Sequence, residues 1–112
     1  DCAEVYVPFS WYEPMWLENL GFAKEGEGWK LTLDGTTSLD QGGSCPWNCS
    51  GGVLSSNPIG ASGMIRFAEA ALQVRGMANN QVPNAKTALG QAYGGGAQFF
   101  AMWIVKAEKP TV

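Results

Sequence analysis

Apolar residues change their spacing several times along the chain, and each change marks the border of an expected element. Val5 and Val7 flank Tyr6 in a short apolar stretch that closes at Pro8 and reads as a strand. Ser10-Trp11-Tyr12-Glu13 follows with the Ser-x-x-Glu spacing of a capping box, which predicts a helix from about Trp11 to Leu20, with Gly21 as its stop. Pro14 is tolerated there because first-turn amides have no acceptor within the helix. Residues 22–52 hold seven glycines, and the span 23–52 reads as an irregular loop region. Within it, Leu31-Thr32-Leu33 alternates ahead of the Asp34-Gly35 turn signal and predicts a small surface hairpin.

Met64, Ile65, Ala68, Ala71, Leu72 and Arg75 then recur at three- and four-residue spacing, the mark of an amphipathic helix that ends at Gly76. The loop feeding this helix, residues 51–63, is rich in glycine and serine. A helix start presents unpaired N–H groups and a partial positive charge, which suit a phosphate or a developing oxyanion. Small residues before a helix equally serve close packing, so the pattern alone leaves both readings open. Ala85 to Tyr93 reads as a strand, Gly94-Gly95-Gly96 as a turn or a close backbone approach, and Phe99 to Val105 as a strand buried on both faces. Phe99 to Trp103 is accordingly expected in the core. The order strand, helix, loop, helix, strand, strand predicts an α/β architecture with a mixed sheet and packed helices.

Composition adds limits. With 112 residues, 46% hydrophobic and 15% charged, the chain fits one globular domain, 1–112. Five Trp, three Tyr and five Phe load a small core heavily, so some are expected to face a partner or another domain. The chain opens on Asp1 with a strand already under way, and a missing half is expected. The net charge of −3 and the scatter of seven basic residues argue against a nucleic-acid partner. No apolar run approaches the ~20 residues of a membrane span and no leader pattern is present, so a soluble cytoplasmic protein is expected. Cys45 and Cys49 can approach one another, but nothing else suggests a disulfide scaffold, and free thiols are the favoured reading. A Cys-x-x-x-Cys in a chain without histidine makes a poor zinc site, so no metal is expected.

Ser50-Gly51-Gly52 followed by Asn57-Pro58 and Gly60-Ala61-Ser62-Gly63 resembles the segment of thiolases that carries Ser-Gly-Gly, Gly-His-Pro and a Gly-Ala-Ser/Thr-Gly helix start. Gln73-Val74-Arg75-Gly76, Gln81-Val82-Pro83-Asn84-Ala85 and Gly94-Gly95-Gly96 are similar to that family in the same order, as are Leu20-Gly21-Phe22 and Gly26-Glu27-Gly28 upstream. The sterol-carrier-protein and lipid-transfer branch is the nearest. The resemblance implies the C-terminal part of a thiolase-like fold whose N-terminal half supplies a nucleophilic cysteine. It implies chemistry on carbon–carbon bonds of coenzyme A thioesters, by an acyltransferase or a retro-aldolase, with the thioester as substrate and no further cofactor. It also implies a homodimer or a hetero-oligomer, with a small oligonucleotide-binding-fold partner in some lipid-transfer relatives.

The departures from that family are specific. Its His-Asp-Cys-Phe motif falls on Tyr6-Val7-Pro8-Phe9, its Asn-Glu on Tyr12-Glu13, and its Gly-His-Pro histidine on Asn57. Its late cysteine or histidine has only Gln91 and Tyr93 nearby. Tyr6, Asn57 and Tyr93 are therefore the candidate catalytic residues, and Gly60, Ser62, Gly63 and Gly95 the candidate substrate-binding ones. Tyrosine, with a reference pKa of about 10, serves more readily as an acid or oxyanion donor than as a base. Asn57 has a plainer alternative as a turn residue and Tyr6 as a half-buried strand residue, Tyr93 beside the triple glycine reads equally either way, and Glu13 reads as a helix cap rather than an acid. Three functions stay open: a divergent acyl-coenzyme A enzyme of lipid metabolism, a non-catalytic thioester-binding or scaffold subunit, and a segment inactive without its N-terminal half.

Overall fold

A computed structural model describes residues 1–109. The first strand, β1 (Cys2–Glu4), pairs in parallel with β2 (Thr87–Gly94), which pairs antiparallel with β3 (Phe99–Lys106), in the order β1-β2-β3. On the far side of β1, Ala3 bridges to Trp47: its N–H reaches the Pro46 carbonyl at 3.0 Å, and its carbonyl accepts from Asn48 N–H at 2.7 Å. The central strand thus carries residues from the far end of the sequence. That long-range pairing brings residue 6 beside residue 93.

Strand alternation sends side chains to two opposite layers. Cys2 and Ala88 face the long helix α4 (Ser62–Arg75), packing with its Ala70 and Val74. Ala3, Val5 and Leu89 face the other way and pack under Trp16 and Leu17 of helix α1 (Tyr12–Asn19). At Gly63 α4 comes close to the sheet: a Cβ there would stand 2.6 Å from that of Ala92. Gly76, in the left-handed region at φ 70°, ends α4 as its position predicts, with Met77 N–H closing onto the Leu72 carbonyl at 3.0 Å. Gln73 and Gln81 lock the next loop: Val82 N–H donates to Gln73 Oε1 at 2.9 Å, and Gln81 Nε2 reaches the Gln73 carbonyl at 2.9 Å.

Several expectations need correction. The Leu31–Leu33 segment is not a hairpin but lies in a short helix, α2 (Gly28–Leu33), set against α1. A two-residue alternation across Thr32 is too short to exclude a helical turn. A further turn of helix, α3 (Gly52–Ser55), lies at the end of the region expected to be irregular. Ser10 and Glu13 form no capping box. Tyr12 N–H turns back onto the Phe9 carbonyl at 2.9 Å instead, and Glu13 accepts from the hydroxyls of Thr37 at 2.6 Å and Thr32 at 3.2 Å. Glu13 therefore ties α1 to α2 and the loop after it.

The stripe that periodicity marks on α4 is not its buried face: Ala68 and Arg75 are exposed, and Ala71 and Leu72 are only half-buried. Met64, Ile65 and Phe67 are exposed, while Ser62, Arg66, Ala70, Gln73 and Val74 are buried. Likewise Phe99, Phe100, Met102 and Ile104 of β3 are exposed rather than buried on both faces. The physical reason is the same for both: β3 is an edge strand, and α4 has a second face for which these residues provide no covering layer.

Candidate functional site

The C-terminal ends of β1 and β2 lie side by side, and the start of α4 lies above them. β1 leaves its ladder after Glu4↔Gly90, and Tyr6 follows two residues later. Its ring lies on that of Tyr93, near the end of β2, with centroids 4.7 Å apart and planes within 7°. Tyr12 meets Tyr93 edge-on, the two hydroxyls 3.5 Å apart, and Phe100 also meets Tyr93 edge to face, with centroids 5.4 Å apart. The hydrogen bond between the Tyr93 and Tyr12 hydroxyls, which favours the protonated form when Tyr93 donates, pushes the Tyr93 phenol up together with some loss of hydration, so it stays protonated near neutrality.

Asn57 joins this aromatic pair to α4. Its Oδ1 accepts from the Ser62 hydroxyl at 2.6 Å and from Ile59 N–H at 3.3 Å. The amide nitrogen donates to the Tyr6 hydroxyl at 3.1 Å, and that hydroxyl also stands 3.4 Å from Oδ1, so the Tyr6 oxygen lies across the edge of the amide. A side-chain amide has two N–H groups, and Tyr6 takes one of them; Asn57 itself is exposed. Ile59 holds a left-handed backbone at φ 45°, which strains a β-branched residue by about 1–3 kcal/mol and turns its N–H toward Asn57.

The structure brings Tyr6, Asn57 and Tyr93 together. Among the other candidates, Ser62 is almost completely buried beneath Asn57, and Gly63 packs on Ala92. Gly60 lies in a single 3-10 turn, Ile59–Ala61, with open space where a side chain would be. Gly95 is exposed in the β2–β3 turn at φ 61°.

Sequence reasoning missed a buried ion pair one turn along α4. Arg66 Nη1 stands 3.4 Å from Glu4 Oε2, and both side chains are 3% exposed. Ser50 donates to the same carboxylate from its N–H at 3.1 Å and its hydroxyl at 2.8 Å. Desolvation dominates and pushes the Glu4 carboxyl up from its usual value, against the Ser50 hydrogen bonds and Arg66. Glu4 thereby anchors the Ser50-Gly51-Gly52 turn to β1. An arginine set directly between Ile65 and Phe67 was the available signal.

The three cysteines are free thiols, and Cys2 and Cys49 pack together with Ala70 and Val74 on the α4 side of the sheet. Burial pushes the Cys2 thiol up to about 11 and that of Cys49 up to about 12. Neither supplies a thiolate near neutrality. Among the described residues no group of three or more metal-binding side chains converges, and no helix is long and apolar enough to cross a membrane.

Comparison with known proteins agrees with this arrangement. A family model described as thiolase C-terminal domain-like matches residues 1–107. An acetyl-CoA acetyltransferase of Methanothermobacter thermautotrophicus is 38% identical over 97 residues, covering 85% of this chain and 25% of that protein. Human sterol carrier protein 2 is 41% identical over 100 residues, covering 87% of this chain and 18% of that protein. The solved structure titled Ltp2-ChsH2(DUF35) aldolase superposes with a TM-score of 0.76 at 29% identity, over 96% of this chain and 27% of that one. The chain thus spans a quarter or less of the length of these curated relatives. Blocks matched in order, a mixed sheet between helices and a family match over nearly every residue lead to one conclusion: the chain belongs to the thiolase family and forms a C-terminal domain of that fold.

Proposed function

We propose that this domain serves a thiolase-like enzyme that cleaves the Cα–Cβ bond of a β-hydroxyacyl-coenzyme A by a retro-aldol reaction. The observation that carries this reading is the Tyr6–Tyr93 stack with Asn57 on the Tyr6 hydroxyl, in a chain that contains no histidine. Ordinary thiolase chemistry needs a thiol or imidazole that titrates near neutrality to remove an α-proton. Retro-aldol cleavage asks for less: a proton leaves the β-hydroxyl, its O–H electrons become the carbonyl bond, and the Cα–Cβ pair moves into the thioester enolate. A proton then returns to Cα, giving a ketone or aldehyde and a shortened coenzyme A thioester.

In this scheme Tyr6 relays the hydroxyl proton: its oxygen accepts that proton as its own phenol proton passes to water, while the Asn57 amide, donating to the same oxygen, holds it in place. Tyr93, held as a phenol, returns a proton toward the enolate. The second Asn57 N–H hydrogen-bonds the thioester oxygen, whose charge increases as the bond breaks. Ser62 acts through Asn57, Gly60 and Gly95 leave room for the thioester, and Gly63 lets α4 sit close enough to the sheet to hold Ser62 in place. The exposed stripe of Met64, Ile65 and Phe67 suits burial against an N-terminal half. The solved relative is titled as a pairing of Ltp2 with a DUF35 protein, and a hetero-oligomer of that kind is proposed here too.

The test uses the protein with its N-terminal half present. Tyr6→Phe and Asn57→Ala are assayed for cleavage of a β-hydroxyacyl-coenzyme A and for thiolysis of a β-ketoacyl-coenzyme A. Each is expected to slow cleavage by ~10²–10³. Wild-type turnover in both variants, or thiolysis as the only wild-type activity, overturns the reading.

A further inference from the structure

Beyond the ladder of β1 the backbone that presents Tyr6 has no strand partner, and side chains replace it. Val5 N–H donates to Asn48 Oδ1 at 2.8 Å. Tyr6 N–H donates to Gln91 Oε1 at 3.1 Å, and the Tyr6 carbonyl accepts from Trp16 Nε1 at 2.9 Å. Both backbone groups of Tyr6 are thus fixed by side chains from two different elements. Gln91 stands on the central strand two residues before Tyr93 and shares its face, so one strand carries both the acceptor for the Tyr6 amide and the ring on which Tyr6 stacks.

Gln91 is wholly buried, and its Nε2 has no hydrogen-bond partner among the described residues. An unpaired buried amide N–H costs stability that an apolar side chain of the same length would not. Packing alone gives no reason for a glutamine there. Its oxygen does, since Tyr6 N–H would otherwise be left without a partner.

We infer that Gln91 is a positioning residue that sets the backbone of Tyr6 and thereby the register of its ring on Tyr93. Trp16 is the second anchor, from α1. Gln91 need not touch the substrate: its effect passes through the Tyr6 amide. The rate consequence of the inference rests on the retro-aldol reading; the geometric consequence does not.

The experiment again uses the protein with its N-terminal half. Gln91→Met keeps the side-chain length and removes the acceptor. It is expected to lower kcat for cleavage by ~10–100-fold with KM changed less than about twofold, because a displacement of about 1 Å in a reacting group is worth up to 10² in rate. Combined with Tyr6→Phe it should be no slower than Tyr6→Phe alone, since the hydroxyl it positions is already gone. Gln91→Glu restores an acceptor oxygen and should recover most of the rate. Wild-type kcat in Gln91→Met, losses that multiply in the double variant, or a folded Gln91→Glu protein as slow as Tyr6→Phe each overturn the inference.

Tyrosine ring resonances in NMR spectra of the same proteins separate this from the functional reading. The Tyr6 signal, assigned by its loss in Tyr6→Phe, should show the ring-current shift of a stacked ring and lose it in Gln91→Met. A wild-type protein without cleavage activity defeats the functional reading, and an unchanged Tyr6 shift in Gln91→Met then defeats the positioning role on its own.

Discussion

Tyr6 and Tyr93 lie ring on ring, 4.7 Å apart, although one follows the first strand and the other nearly ends the second. Parallel pairing of β1 with β2 makes this contact possible, because it sets the C-terminal ends of both strands on the same side of the sheet. The start of α4 lies at that side as well, so a helix terminus, two phenols and an amide meet where irregular backbone replaces the ladder. Loops at strand ends, held by a rigid sheet, are where chemistry is most readily placed.

The Ser62 hydroxyl fixes which way the Asn57 amide points. In Ser62→Ala the Oδ1 atom keeps only the longer contacts to Ile59 N–H at 3.3 Å and the Tyr6 hydroxyl at 3.4 Å, and the amide is freer to flip. Cleavage should fall roughly five- to tenfold, in line with the loss of about 1 kcal/mol of orienting hydrogen bond. Steady-state kinetics of Ser62→Ala beside Asn57→Ala checks this, and Ser62→Ala should be the milder of the two.

Close approach of α4 to the sheet rests on Gly63. Gly63→Ala places a methyl group 2.6 Å from the Ala92 Cβ, and α4 must shift outward. A loss of about 1–3 kcal/mol is expected, as for other overpacked cores. Gly63→Ala with Ala92→Gly should regain a substantial part of it. Urea denaturation of the single and double variants distinguishes a specific clash from a general intolerance of the helix start.

Glu4 makes a contribution to the pH dependence of stability whose sign follows from its raised pKa. A carboxyl whose pKa is higher folded than unfolded binds its proton more readily in the folded state. Its contribution is full below the ordinary carboxyl value near 4.5 and is lost as pH rises through the raised one. Glu4→Gln should therefore remove a downward slope of stability with pH just above 4.5, measured by urea denaturation at successive pH values. At neutral pH Arg66→Met should cost about 3–5 kcal/mol by stranding the Glu4 charge, and Arg66→Met with Glu4→Gln markedly less.

The apolar stripe on α4 supplies a surface test. Met64 is 70% and Phe67 43% exposed, and neither is in the Tyr6–Asn57–Tyr93 group. Met64→Glu with Phe67→Glu should leave the isolated chain folded and less prone to associate, while weakening its capture by a separately produced N-terminal half. Sedimentation and pull-down measurements read the two effects. Unchanged capture would count against that face as the docking surface.

The sequence by itself determined the family, the order of the main elements, the helix stop at Gly76 and the β2–β3 pair. These rest on signals only a few residues long: a glycine free to adopt a left-handed backbone, apolar runs of strand length and glycine blocks in a fixed order. It also singled out Tyr6, Asn57 and Tyr93, but only through the family's motif positions. The tertiary structure decided which faces are buried. Periodicity grouped Met64 and Ile65 on one apolar face because it measures apolar content, and it does not tell whether that face is buried or, as here, exposed. Arg66 is buried instead because Glu4, far away in sequence, lies beneath it with an opposite charge. Glu13 looked like a helix cap because spacing is local, yet its partners are Thr32 and Thr37 on other segments. Gln91 carried no local sign of its contact with Tyr6, because that contact exists only once the parallel ladder of β1 and β2 has ended.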